Sequence, residues 1–354
     1  MARPAFHRLR VAKVERLCDD AVAITLDVPP ELADVFVFRA GQYLTLRQDV
    51  EGVEERRSYS ICAAAGRAPR IGVRRVEGGL FSAPLVDSLA PGDTLEVLPP
   101  LGKFTPPLDG PAHHCLIAAG SGITPVLSIV STVLESDSDS KVTLLYGNRR
   151  TDTVMFAEEL ADLKDRYPDR LQLVHVLSRE PRDVELFSGR LDADRLGTLL
   201  DTIVPASDVD HWWLCGPYGL VQDAERVLTG RGVSAERIHR ELFYVDEPPP
   251  PPKRVDESEV DGPTAEVTVI LDGKRTTLTL PADTPILDAA QRVRSDLPFA
   301  CKGGVCGTCR AKVVDGTVEM RRNYALEPRE LAEGFVLTCQ GLPLTAQVTV
   351  DYDA

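Results

Sequence analysis

Four cysteines near the C-terminus constrain this chain more than any other feature. Cys301, Cys306 and Cys309 follow a C-x4-C-x2-C spacing in Cys301-Lys302-Gly303-Gly304-Val305-Cys306-Gly307-Thr308-Cys309, and Cys339 comes about thirty residues later. Structural zinc normally uses two short C-x2-C knuckles, and only one pair here has that spacing. Two irons need four thiolates and a loop that wraps closely enough for backbone N–H groups to reach the cluster sulfurs. Gly303, Gly304 and Gly307 allow that approach, so the four cysteines are expected to ligate a [2Fe–2S] centre. The other four, Cys18, Cys62, Cys115 and Cys215, are scattered along the chain. This is not a disulfide framework; it points to a metal centre in a reducing, cytoplasmic compartment.

A chain of 354 residues is expected to form two or three domains. The clearest boundary is 247–263, where Pro248–Pro252 is followed by Asp256, Glu257, Glu259 and Asp261. The proline run alone would make a semi-rigid spacer of roughly 15 Å. Residues 1–111 read as short alternating strands (Leu9–Val14, Ala23–Val28, Tyr43–Leu46, Ile71–Val76, Thr94–Leu98) cut by Gly and Pro turns, the pattern of an antiparallel β-barrel. Over 112–246, buried strands (Cys115–Ala119, Val142–Tyr146, Leu171–Leu177, Trp212–Cys215) alternate with helices (after Pro125, Ala157–Asp165, Leu220–Leu228), which predicts an α/β domain with a parallel sheet. In 264–354, strands Val267–Leu271 and Thr276–Leu280 flank Asp272-Gly273, a hairpin signal. A helix with Thr284 as N-cap and Pro285 at N1, running to near Arg294, and later strands at Arg310–Val314 and Val348–Asp351, complete a small α+β domain.

The formal net charge of -14 argues against nucleic acid or an anionic membrane as partner. The stretch Cys115–Leu134 is uncharged and about long enough to span a bilayer, but Gly120, Ser121, Gly122 and Pro125 break it, so a strand, a turn and a buried helix are expected. Met1–Val11 has several Arg and no apolar core, so no secretory signal is expected.

Two motifs fall in the barrel region. Arg57-Ser58-Tyr59-Ser60, expected after a strand, offers a guanidinium for a phosphate, a flat aromatic face and a hydroxyl. Gly79-x-x-Ser82, preceded by Arg74, offers backbone and hydroxyl donors. In the α/β region, Gly120-Ser121-Gly122-Ile123-Thr124-Pro125 sits between a strand and a helix, where free N–H groups suit a pyrophosphate. Cys215-Gly216-Pro217 lies at another strand end; a buried core cysteine is the plain alternative.

These strings together resemble the ferredoxin–NADP reductase superfamily. The resemblance implies that Arg57, Tyr59, Ser60, Arg74, Gly79 and Ser82 hold a flavin, FAD rather than FMN, with Ser60 near N5. It further implies that Gly120, Gly122, Thr124, Gly216 and Pro217 hold the pyridine nucleotide, with Cys215 beside the nicotinamide C4. Ser178-Arg179, Arg190 and Arg149 resemble the phosphate-binding positions of members that use NADPH rather than NADH, although such arginines also make an ordinary solvated face. Phe243 is placed as an aromatic cover over the flavin or as core packing.

Residues 265–354 resemble plant-type ferredoxins. The order, flavin and nucleotide regions first and ferredoxin last, resembles the reductase components of bacterial multicomponent oxygenases, and the implied electron path runs from NADPH through FAD and [2Fe–2S] to a partner oxygenase. Flavin links two-electron hydride chemistry to single-electron carriers. Asn323-Tyr324-Ala325-Leu326-Glu327-Pro328, Phe335-Val336-Leu337-Thr338-Cys339-Gln340 and Val350-Asp351-Tyr352-Asp353 are similar to reductases of phenylacetyl-CoA epoxidases, which implies a di-iron oxygenase as acceptor. Reductases of steroid-hydroxylating oxygenases share most of these motifs, and a stand-alone NAD(P)H diaphorase stays open as an alternative.

Overall fold

Alternating apolar residues build the first sheet. In the computed structural model, which describes residues 5–50, 53–243, 264–294 and 296–354, strands β1 (His7–Cys18), β2 (Ala21–Asp27), β3 (Tyr43–Val50), β4 (Val53–Ser60), β5 (Arg70–Arg74) and β6 (Thr94–Val97) pair antiparallel in the order β4-β3-β6-β1-β2-β5. A bridge between Ile61 and Ile71 joins the end of β4 to β5 and closes the barrel. Leu9 and Val11, Ile24 and Leu26, Leu44 and Leu46, and Ile71 and Val73 stand two apart along their strands and fill its interior. Helix α1 (Ser82–Asp87) adds Leu85 and Val86 to that core.

The expectation placed Arg57-Ser58-Tyr59-Ser60 after a strand; the motif lies inside β4 instead. The charged run Glu54–Arg57 hides the strand pattern. In the fold these charges answer one another, Arg56 with Glu54 and Arg57 with Glu55, so the strand forms despite them.

The next five strands, β7 (His113–Ala119), β8 (Lys141–Asn148), β9 (Leu171–Leu177), β10 (His211–Gly216) and β11 (Ile238–Leu242), are all parallel, in the order β11-β10-β7-β8-β9. Helices α2 (Ile123–Ser136) and α3 (Ala157–Arg166) bury Leu127, Val130, Leu160 and Leu163 in one cluster. Helices α4 (Ala193–Thr202) and α5 (Tyr218–Gly230) bury Leu196, Leu199, Val221 and Leu228 in another. Helix α4 and strand β11 were not anticipated. The former starts at Asp192, whose carboxylate accepts the Arg195 N–H; the latter is a polar edge strand, Ile238-His239-Arg240-Glu241-Leu242, with little apolar pattern to read. The strand order reverses at β7, which opens a crevice at its C-terminal end. The uncharged Cys115–Leu134 run resolves into β7, a turn at Gly120–Gly122 and most of α2. Among the described residues no helix is long and apolar enough to cross a membrane.

Met1–Phe243 forms one unit and Tyr244–Ala354 a second. The proline and acidic stretch at 247–263 lies outside the described residues. The second unit has a mixed β-grasp sheet of β12 (Thr264–Leu271), β13 (Lys274–Pro281), β14 (Arg310–Asp315), β16 (Phe335–Leu337) and β18 (Gln347–Asp351) in the order β13-β12-β18-β14-β16, with β12 and β18 parallel. A separate pair, β15 (Val318–Met320) and β17 (Gly341–Pro343), lies beside it, with short helices α6 (Ile286–Ala290) and α7 (Pro328–Ala332). Asp272 and Gly273 take φ of 53° and 67°, as a type I′ hairpin turn requires. Helix α6 starts one residue later than expected, with Pro285 as its N-cap, and it stops at Ala290, where i→i+3 bonds tighten the chain into turns.

Candidate redox site

Strand alternation splits the Arg57–Ser60 motif between two faces of β4. Arg57 and Tyr59 share one face with Phe81: the Arg57 guanidinium lies 5.9 Å from the Phe81 ring centre and the Tyr59 ring 6.2 Å from it. Burial pushes the Tyr59 hydroxyl well above its ordinary range. Ser60, on the other face and buried, donates its hydroxyl to Glu241 Oε1 at 2.8 Å. Glu241 stands on β11 in register with Cys215 of β10. The residue is half-buried, but its carboxyl is turned inward onto Ser60, and desolvation raises its pKa to about 7 against the hydrogen bond from Ser60. Cys215 is fully buried, and desolvation, with the Glu241 charge adding to it, holds its thiol protonated. Ser60, Glu241 and Cys215 thus form one buried group, drawn from the barrel and from two strands of the parallel sheet. Phe243 packs, partly buried, against the core cluster that contains Cys215.

Glu241 is a candidate functional residue that the sequence does not single out. On its own it is a charged residue in an edge strand; only the pairing of β10 with β11 and the contact with Ser60 single it out.

Gly79 and Ser82 lie together. The Ser82 hydroxyl accepts the Val76 N–H at 3.0 Å, and a Cβ on Gly79 would stand 3.0 Å from both that hydroxyl and the Val76 carbonyl. Arg74 precedes them at the end of β5. Its guanidinium donates to Asp20 at 3.1 Å and to the Thr153 carbonyl at 2.6 Å, and Nη1 would be 3.4 Å from a Cβ on Gly120. At the end of β5 its side chain reaches across to the glycine turn.

That turn is tightly held. Gly120 takes φ of 55°, a conformation open to glycine, and its carbonyl accepts the Tyr146 hydroxyl at 3.0 Å. Thr124, buried, donates to the Ser121 carbonyl at 3.0 Å. A Cβ on Gly122 would lie 2.1 Å from the Cys215 carbonyl oxygen, so glycine there is what lets the turn rest on the Cys215-Gly216-Pro217 segment. Asn148, at the end of β8, is 8% exposed with no well-formed hydrogen bond to either amide atom. Burying an amide in that state costs about 1–3 kcal/mol, which a polar ligand would relieve. The turn and this amide fit a dinucleotide.

The loops after β8 and β9 gather the arginines. Arg179 N donates to the Arg149 carbonyl at 2.8 Å and Ser178 N to that of Asn148 at 2.9 Å, while Gly189 N bonds the Leu177 carbonyl and brings Arg190 to the same end. Arg179 and Arg190 are exposed. Arg149 leans toward Asp20, 3.9 Å away.

In the second unit the four cysteines stand as two pairs. Cys301 and Cys306 form one coupled pair, in which a hydrogen bond from Cys306 and backbone N–H groups draw the Cys301 thiol below its ordinary value; the Gly303 N is 3.3 Å from its sulfur. Cys309 and Cys339 face each other as the second pair, and the neighbouring Cys339 with burial holds the Cys309 thiol protonated. Two pairs of thiols suit two irons. The loop takes positive φ at Lys302, Gly304 and Gly307. Thr308 Oγ1 is buried without a well-formed hydrogen bond and leans on the Cys306 sulfur, so a cluster there would satisfy it. The residues fit a [2Fe–2S] centre.

Residues 8–105 match the oxidoreductase FAD-binding domain family, 116–226 the oxidoreductase NAD-binding domain family, and 269–344 the 2Fe-2S iron-sulfur cluster binding domain family. The chain is 46% identical to a subunit of the 1,2-phenylacetyl-CoA epoxidase of Escherichia coli, over 99% of this chain and 98% of that one. The chain belongs to the family of multicomponent-oxygenase reductases. It is also 36% identical to the ferredoxin reductase component of 3-ketosteroid-9-alpha-monooxygenase from Rhodococcus rhodochrous, over 97% of this chain and 96% of the relative. Among solved structures, phthalate dioxygenase reductase matches with a TM-score of 0.63 at 26% identity, covering 98% of each chain. An oxygenase reductase of this kind carries FAD, a pyridine nucleotide and a [2Fe–2S] centre, the three groups for which the barrel, the parallel sheet and the β-grasp unit are built.

Proposed function

We propose that this reductase draws electrons from NADPH and delivers them to a di-iron oxygenase acting on phenylacetyl-CoA. The observation that carries the choice of partner is the 46% identity, end to end, with the phenylacetyl-CoA epoxidase subunit, against 36% for the steroid monooxygenase reductase. In this reading Cys301, Cys306, Cys309 and Cys339 are the iron ligands. Arg57, Tyr59, Ser60, Gly79 and Ser82 hold FAD, and Arg74, tied to the Gly120 turn, supports the nucleotide side. Gly120, Gly122, Thr124, Gly216 and Pro217 seat the nucleotide. The Arg149, Ser178, Arg179 and Arg190 cluster supplies the charge that a 2′-phosphate needs.

Bound flavin supplies the exchange between hydride and single electrons. The chain's own contribution is positional. Buried Cys215 keeps water from the hydride path, and Ser60 orients its hydroxyl by donating to Glu241. With a pKa of about 7, Glu241 can take or return a proton through that hydroxyl at neutral pH.

The test is reconstitution with the oxygenase subunits of a phenylacetyl-CoA epoxidase, following NADPH oxidation and epoxide formed. Coupled turnover is expected, with NADPH preferred to NADH. Coupling only to a steroid monooxygenase, or a preference for NADH, would overturn the corresponding half of the reading.

A further inference from the structure

Gln340 follows the last cysteine, and its side-chain amide reaches two separate parts of the loop. Nε2 donates to the Lys302 carbonyl at 2.8 Å and to the Cys339 carbonyl at 3.0 Å, and it lies 3.7 Å from Cys339 Sγ. Lys302 is one of three non-glycine residues with positive φ among those described, at 51°, so its backbone needs an outside restraint. The Gln340 stem closes on the same turn: a Cβ on Gly304 would meet Gln340 Cγ at 3.1 Å. The Gln340 backbone is held in turn, its carbonyl accepting Arg321 N at 3.0 Å and its N–H donating to the Leu337 carbonyl at 2.9 Å. One amide therefore ties the turn after the first cysteine to the segment carrying the fourth, with a donor beside a ligand sulfur.

We propose that Gln340 is a positioning residue that sets the reduction potential of the iron–sulfur centre. The proposal rests on the ligation by Cys301, Cys306, Cys309 and Cys339 argued above. One added electron makes the cluster and its thiolates more negative, and an N–H directed at a ligand sulfur stabilises that form more than the oxidised one. The amide thereby raises the potential and favours acceptance of electrons from the flavin side. Lys302, whose ammonium is paired with Asp288 at 3.4 Å, keeps its carbonyl fixed toward the amide.

The experiment is an EPR-monitored redox titration of the full chain loaded with flavin and cluster. Gln340→Met keeps the stem without a donor, and Gln340→Glu replaces the donor by a carboxylate. Both are expected to hold the cluster and titrate at lower potential than the parent, the Glu variant lowest, with NADPH-to-ferricyanide activity unchanged. Parent-like midpoints in both variants would overturn the proposal. So would failure of both to assemble the cluster, which would reduce the amide to a closure of the loop. A parent protein without the [2Fe–2S] signal would instead sink the ligation itself, so the two failures are distinguishable.

Discussion

The proposed hydride site and the iron–sulfur loop solve opposite problems. Ser60 and Glu241 meet across 181 positions of sequence, and Cys215 joins them fully buried, so the site is assembled from distant strands and kept dry. The cluster loop takes three of its cysteines from nine consecutive residues, and Cys301 and Cys306 are partly exposed. Hydride transfer needs two reactants in contact with water excluded. A single electron needs only a short distance to an acceptor that arrives from outside. Long-range assembly and burial serve the first; a local, accessible loop serves the second.

The sharpest way to break this division is Cys306→Ala. One ligand of four is lost, and reduction of one-electron protein acceptors such as cytochrome c is expected to vanish while NADPH-to-ferricyanide activity survives. Equal loss of both would mean that the two sites are not separable. The converse variant is Gly122→Ala. Its methyl group would stand 2.1 Å from the Cys215 carbonyl and 2.9 Å from Gly216 N, so backbone must move. Overpacking of this kind costs about 1–3 kcal/mol, and a misplacement near 1 Å in a hydride site costs on the order of a hundredfold in rate. NADPH-to-ferricyanide activity is expected to fall by that factor, with the dithionite-reduced cluster EPR signal unchanged.

The same contrast governs what could be read before the fold was known. The cysteine spacing, the glycine turn at 120–122 and the Asp272-Gly273 hairpin are local codes, so residue type and spacing were enough. Strand β4 was hidden because Glu54–Arg57 are charged, and only the folded strand shows how they are accommodated, by pairs along β4 itself and by Arg47 across on β3. The direction of Arg74, toward the nucleotide turn, depends on where β5 ends against the parallel sheet. Glu241 has no local signal at all: its role comes from a register between β10 and β11 and from a barrel residue far back in the chain.

The arginine cluster offers a smaller test on the hydride side alone. A charge-assisted hydrogen bond is worth about 1.5–3 kcal/mol, so Arg179→Ala is expected to raise the KM for NADPH roughly tenfold or more. The KM for NADH, which lacks the phosphate, should hardly move. Steady-state kinetics with both nucleotides decide it, and an unchanged ratio would remove Arg179 from the site.

The finest distinction lies in protons. Glu241 has a folded-state pKa of about 7, above the 4.5 of a free carboxyl, because burial disfavours its charge. The folded chain therefore holds this proton more tightly than the unfolded one, and stability falls as pH rises from about 4.5 through about 7. Above pH 7 the buried charge costs on the order of 3 kcal/mol. Glu241→Gln keeps the shape and an acceptor for the Ser60 hydroxyl but carries no charge. Its Tm should match the parent near pH 4.5 and exceed it by roughly 6–12 °C at pH 8, since about 1 kcal/mol moves Tm by 2–4 °C in a unit of this size. Melting the first unit across that range is the measurement. A gap that does not change with pH would mean that Glu241 does not titrate there.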